Sequence, residues 1–519
     1  MMNRLIVALS GCLALFICAC QSPDPTSTLI DNAVIIDGSG QPAYVGAVRI
    51  DGDKIIAVGD LTPLRNEKII EADGKVLAPG FIDTHSHHDR GLADNLDMLA
   101  AVSQGITTIV RGADGSAGLE EASGYISQKD FNAKFDSNPA ALNIASFSPH
   151  NSVRYSVMGA DFRRPARDDE ITAMREIVEE DMKYGALGLG TGLEYVPGIF
   201  SETEEVIELA RIAASHGGRY MSHVRDEDAK FLDAIDEIIR IGREASIPVH
   251  ISHIKLADNY FWGTVDIVLE KLNAARRDGV AVSADIYPYV HWQSLLAVFF
   301  PARDFTSMEV AKYTFEHTTL PETLVIAHFE PKPSYAGLTI AEIARLNEQS
   351  PEETLLLLAQ MSDKYLQETG LKGDKIIARG MIEDDVIRFM QWEFTNLCTD
   401  GGHGGGHPRG FGSFPRFLNR YVNDRTGISP EAAIRKMSGL SAVNVGIEGR
   451  GLIEAGYFAD LVLYDPETVA DRATFEQPEE ISTGILSVWV NGQVVFRDGE
   501  TTGVFPGRIV MRAGFDETN

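Results

Sequence analysis

Residues 80–89 read Gly80-Phe81-Ile82-Asp83-Thr84-His85-Ser86-His87-His88-Asp89, and the fold turns on them. The stretch is entered through an apolar run, Lys75 to Ile82, and it ends in three histidines and an aspartate. A short apolar run of this kind reads as a buried strand. Side chains two apart on a strand share a face, so His85 and His87 point the same way from its C-terminal end. Two converging imidazoles make a seat for zinc or a neighbouring metal. His88 points the other way and reads as structural. On its own the pair serves equally well in a polar turn.

Outward from this stretch, strands alternate with helical segments, which is the signature of parallel βαβ units. Candidate strands are 77–82, 106–111, 142–147, 186–191, 219–223, 247–252, 281–286 and 395–399. Eight such units predict an α/β chain folded as a (β/α)8 TIM-like barrel, here spanning 79–440, with its chemistry at the strands' C-terminal ends. Residues 300–395 exceed what one helix requires and read as an inserted subdomain or lid. Short alternating strands with Asp-Gly and Asn-Gly turns fill 28–78 and 441–519. These two ends are expected to pair into one small β-sandwich.

The first 19 residues read as an export signal, with Arg4 as the only charge and a mostly apolar Leu5–Phe16. Ile17-Cys18-Ala19-Cys20 resembles a bacterial lipoprotein box. That resemblance implies lipidation at Cys20 and a linker over 20–27. It places the protein on the periplasmic side of a bacterial membrane, touching lipid only through its anchor. Ser22 stands where an aspartate would retain such a protein at the inner membrane, which favours the outer one. Soluble secretion is the alternative. Without its signal the chain keeps only Cys20 and Cys398, so no internal disulfide framework is available. The net charge of −29 argues against a nucleic-acid partner.

The strand ends carry a constellation. Met221-Ser222-His223 closes the fifth strand, His250-Ile251-Ser252-His253 the sixth and Cys398-Thr399-Asp400 the eighth. With His85 and His87 they bring four histidines and an aspartate to one mouth. Such a set holds one or two divalent metals and supplies a carboxylate to handle a proton.

Several stretches identify the family. They include APGFIDTHSHHD at 78–89, GALGLGTGLEYVPG at 185–198, SHVRDE at 222–227, ISHIK at 251–255, DIYPY at 285–289 and HPRGFGSFPRFL at 407–418. The chain resembles the amidohydrolase superfamily and, within it, the D-aminoacylase (N-acyl-D-amino-acid deacylase) family. The resemblance implies a zinc-dependent hydrolase, with one or two Zn2+, that cleaves the amide of small N-acyl-D-amino acids. His85, His87, His223, His253 and Asp400 would be metal ligands. Asp400 would also act as general acid/base on a metal-activated water.

Asp114 stands where the family commonly has a bridging cysteine. It is either a bridging ligand or an Asp-Gly turn residue. Tyr195 either polarises the substrate carbonyl or is a packed aromatic. Lys255, Tyr287 and Arg409 match the positions that hold the substrate's α-carboxylate, although Arg409 could instead brace the glycine-rich loop 401–412. His150 matches a family histidine that would support the ligands from outside. Two rivals remain: a dipeptidase for peptides with a C-terminal D-residue, and a non-catalytic solute-binding lipoprotein.

Overall fold

The structure is a computed structural model that describes residues 27–116, 125–423 and 425–515. Cys20 and the signal lie outside the described residues. Strands occur near the predicted apolar runs, but the expected strand 77–82 is split at Gly80: Val76–Pro79 joins the end sheet and Phe81–Asp83 starts the set of parallel strands. In chain order these are β1 (Phe81–Asp83), β2 (Ile106–Arg111), β3 (Asn143–Ser146), β4 (Gly188–Gly192), β5 (Arg219–His223), β6 (Val249–Ile251), β7 (Val282–Ile286) and β8 (Thr395–Leu397). Every residue of β2 is buried, as expected for a parallel strand covered on both faces.

Successive strands pair in parallel. Asp83 lies beside Ile109, Thr108 beside Asn143, Gly192 beside His223, Ser222 beside Ile251 and Asp285 beside Asn396. β3 breaks at Phe147 and resumes as Ser148–Pro149, which pairs with Leu189 and Gly190 of β4. Beyond β8, the Asp400 amide donates to the His85 carbonyl at 2.9 Å. The His87 amide donates to the Gly401 carbonyl at 2.8 Å. The last strand thus hands back to the first. The intervening helices bury one stripe each. In Phe231–Ala245 the buried positions include Phe231, Ala234, Ile235, Ile238, Ile241 and Ala245, the three-and-four spacing of an apolar helix face.

The chain ends do meet. Val76–Pro79 and Leu461–Tyr464 run antiparallel, with Leu77 beside Leu463 and Ala78 beside Val462. This pairing joins strands from both ends into one nine-stranded sheet. Ile30, Ile35, Val48, Leu77, Leu461 and Trp489 form part of its core. One segment departs from the expected boundary. Ile509–Val510 leaves this sheet and pairs in parallel with Ile144 and Ala145 of β3. Val510 there joins a cluster with Ile82, Val110 and Met221.

The insertion has its own antiparallel sheet, in which Asp374–Arg379 lies between His291–Ser294 and Val325–Phe329. It therefore begins before residue 300. Its longest helix, Pro351–Thr369, starts at Ser350 with a reciprocal capping box to Glu353 and stops at Gly370 in the left-handed conformation, the usual start and stop chemistry. No helix among the described residues is long and apolar enough to cross a membrane.

Candidate metal centre

Six predicted ligands stand at or just past the C-terminal ends of β1, β2, β5, β6 and β8, and the structure brings them together. His85 Nε2 lies 3.2 Å from Asp114 Oδ1 and 3.5 Å from Asp400 Oδ1. His87 Nε2 lies 3.2 Å from Asp114 Oδ2 and 3.2 Å from Asp400 Oδ1. These four residues form one group that could hold a metal ion. Asp114 forms a second group with His223 and His253. Its Oδ1 is 3.9 Å from His223 Nδ1 and 3.7 Å from His253 Nε2. Asp114 is therefore shared between the two groups, as a bridging ligand would be.

The donor set fits a cation. Neither nitrogen of buried His85 has a hydrogen-bond partner, and neither does Asp114 Oδ1. These atoms converge without bonding one another. Burial opposes charge on Asp114 and Asp400, yet both carboxyls are held well below the usual range. For Asp114 the chief cause is His85, and for Asp400 it is the Arg409 guanidinium, then His253 and His85. Conversely, Asp114 and Asp400 overcome the burial of His85 and raise its pKa. The cluster thus draws positive charge into itself. All donors are nitrogen or oxygen, which suits zinc and neighbouring divalent ions.

The backbone pays no heed to comfort here. His253 has φ 35° and Asp400 φ 47°, both left-handed. Such geometry in non-glycine residues costs on the order of 1–3 kcal/mol each and persists only when its surroundings impose it. The His253 amide is held by the Asp285 carboxylate, and the Asp400 amide by His85.

Sequence reasoning assigned no role to the residues that orient the ligands. Glu194 Oε2 meets His223 Nε2 at 2.7 Å. Glu227 Oε1 meets His253 Nδ1 at 3.0 Å. A carboxylate on the far nitrogen fixes the tautomer and strengthens the imidazole as a ligand. Their signal was present, since Glu194 and Glu227 both fall inside the family stretches quoted above. Asp285 was missed as well. It binds Thr84 Oγ1 at 2.8 Å and His250 Nε2 at 3.0 Å. Burial opposes its charge, but the His250 hydrogen bond brings the carboxyl down to about 2. His150 is not among the outer partners and pairs instead with Glu205 at 2.9 Å. His88 is structural, bonding Ser86 Oγ and the Gly410 carbonyl, each at 2.9 Å.

A cavity opens beside the cluster. Tyr195, Lys255, Tyr287 and Asp400 line it. Tyr195 packs on His223, ring centroids 4.4 Å apart, and its hydroxyl is 3.4 Å from Ser294 Oγ. Tyr287 is buried and its hydroxyl has no hydrogen-bond partner. Lys255 Nζ is held by both oxygens of Glu227 at 2.6 Å. Arg409 departs from expectation. It is not in the cavity lining but sits behind Asp400, with Nη1 2.7 Å from Oδ2. The physical reason is charge: a buried guanidinium needs a carboxylate, and Asp400 is within reach.

Imidazoles and carboxylates gathered at the C-terminal ends of parallel strands, beside a cavity, define a metal-dependent α/β enzyme. Residues 68–328 and 401–496 match the Amidohydrolase family. The chain belongs to that family. It is 36% identical to the D-aminoacylase of Alcaligenes xylosoxydans xylosoxydans over 509 residues, covering 94% of this chain and 98% of the relative. A solved D-aminoacylase with a binuclear metal centre has a TM-score of 0.84 at 35% identity, covering 94% of this chain and 100% of that one. An N-acyl-D-glutamate deacylase from Bordetella bronchiseptica is solved with zinc and a phosphonate mimic of the tetrahedral intermediate. It has a TM-score of 0.82 at 30% identity, covering 94% and 100%.

Proposed function

We propose that the eight parallel strands form a (β/α)8 barrel, with a small β-domain built from both chain ends. Its mouth hydrolyses the amide of N-acyl-D-amino acids, giving a carboxylate and a free D-amino acid. The observation that carries this reading is the shared carboxylate of Asp114 between two ligand groups, with Asp400 buried beside them. Near-full-length relatives that deacylate N-acyl-D-amino acids support it.

His85, His87, Asp114 and Asp400 would hold one zinc ion, and Asp114, His223 and His253 a second. Zinc held there supplies Lewis acidity toward water and an amide carbonyl. Asp400 takes a proton from water and returns it to the departing amine. Its Oδ2 is pinned by Arg409, so the carboxylate keeps one orientation and stays ionised. Tyr195 offers a hydroxyl to the carbonyl oxygen. Burial, then Asp114 and Glu194, raise its phenol pKa, so it remains a donor. Lys255 and the free Tyr287 hydroxyl receive the substrate's α-carboxylate, and Arg409 holds Asp400 in place.

The test is elemental analysis of purified protein beside hydrolysis of N-acetyl-D- and N-acetyl-L-amino acids. One to two zinc ions per chain and turnover of the D-series are expected. Metal with turnover only of peptides ending in a D-residue would make it a dipeptidase. Absence of both metal and turnover, after zinc is added back, would overturn the enzyme reading.

We further propose export and lipid anchoring at Cys20, supported by the leader pattern at 1–22. Radiolabelled palmitate should enter the wild type and not Cys20→Ser. Equal labelling of the two would exclude the anchor.

A further inference from the structure

We infer that Asn151 is a positioning residue of the metal centre, one that fixes the turn behind Asp114 against the strand end that carries Glu194. This rests on the metal-centre reading above.

Asn151 is the second residue of a helix, His150–Met158, that follows directly on Ser148–Pro149. It is buried, 4% exposed. Its side-chain amide serves one residue twice. Nδ2 donates to the Gly192 carbonyl at 2.9 Å, and the Gly192 amide donates to Oδ1 at 3.3 Å. The neighbouring Ser152 amide donates to the Gly115 carbonyl at 3.0 Å. Gly115 immediately follows Asp114, and Gly192 stands two residues before Glu194. One turn of helix thus grips both segments.

The three pieces meet with no room to spare. Gly115 has φ +69°, and a Cβ there would lie 2.5 Å from Asn151 Oδ1 and 2.9 Å from the Gly192 nitrogen. A Cβ on Gly192 would lie 2.4 Å from the Asp114 carbonyl oxygen. Side chains are excluded at both glycines, so the Asn151 amide on Gly192 and the Ser152 amide on Gly115 set the spacing. The helix itself is anchored from behind. His150 Nε2 meets Glu205 Oε1 at 2.9 Å, and Arg154 Nη2 donates to the carbonyls of Arg164 and Phe200. All three side chains are buried.

Two parts of the site depend on this grip. Asp114 is common to both ligand groups, so a displaced turn alters its distance to His85, His87, His223 and His253 together. Glu194 orients His223 from the outside. Asn151 bonds no ligand side chain itself, and its effect reaches the metal through backbone.

The test strips the purified full-length protein with chelator and titrates it with Co2+ alone, read by visible absorption. Loss of an outer support to a ligand typically costs 10–100-fold in metal affinity. Asn151→Ala should weaken Co2+ binding by about that factor and change the band positions. Asn151→Asp keeps the acceptor and loses the donor, and should fall between. Val153→Ala, on the same helix and fully buried, lowers thermal stability but should bind Co2+ as wild type does. Wild-type affinity and bands in Asn151→Ala would overturn the inference. So would an equal loss in Val153→Ala, because any weakening of the helix would then suffice. A wild type that takes up no Co2+ would overturn the metal centre itself, and this inference with it.

Discussion

Asp400→Asn is expected to lower kcat by about 10²–10⁴-fold, the usual worth of a positioned general acid/base, with a much smaller change in KM. The amide retains an oxygen that can face the ligand cluster, but it cannot take up a proton. It also leaves Arg409 without the carboxylate now 2.7 Å from its Nη1. Removing one partner of a buried ion pair costs roughly 3–5 kcal/mol, so the melting temperature should fall as well. Rates must therefore be taken well below it, on samples whose zinc content is measured. A fully loaded variant within tenfold of wild type would sink the proton-transfer role.

Asp114→Ala should be nearly as severe, for a different reason. Its two oxygens serve both ligand groups. Losing it removes a ligand from each, and the effect on metal affinity should exceed the roughly 10–100-fold cost of losing an outer partner. Elemental analysis should show at least one fewer ion per chain, alongside loss of turnover. Asp114→Cys should restore binding with a shifted preference, because thiolate is softer than carboxylate. If Asp114→Ala keeps its full complement of metal, Asp114 is a turn residue and the site is built from the histidines and Asp400 alone.

The candidate histidine ligands were legible because each stands at the end of an apolar run, where strand periodicity and family motifs agree; Asp114 and Asp400 lie outside the quoted motifs and were read from their place after a strand. His85 and His87 are the clearest case: their spacing fixes a common face, and both reach the same two carboxylates. Glu194 and Glu227 were not legible as supports, although both lie in quoted motifs. Their role depends on which ring nitrogen they meet, and that follows from contacts between the ends of β4 and β5 and between those of β5 and β6. Arg409 was read either as a substrate clamp or as a brace for the loop 401–412, because guanidinium and carboxylate pair wherever they meet. Sequence carries no information on whether the carboxylate is the substrate's or the protein's own. The end sheet was foreseen in its pairing but not in its extent. Ile509–Val510 is too short to signal by composition that it belongs beside Ile144 and Ala145.

That last strand has a consequence for how the protein is made. Val76–Pro79 waits for a partner that begins at Leu461, and the edge of β3 waits for Ile509 and Val510. During synthesis the eight parallel strands emerge before either partner does. An uncovered strand edge is a template for other chains, and contacts this distant in sequence form slowly. Chains truncated before Leu461 would carry every candidate site residue and lack both partners. Such chains should be found with proteases and chaperones and should not turn over substrate.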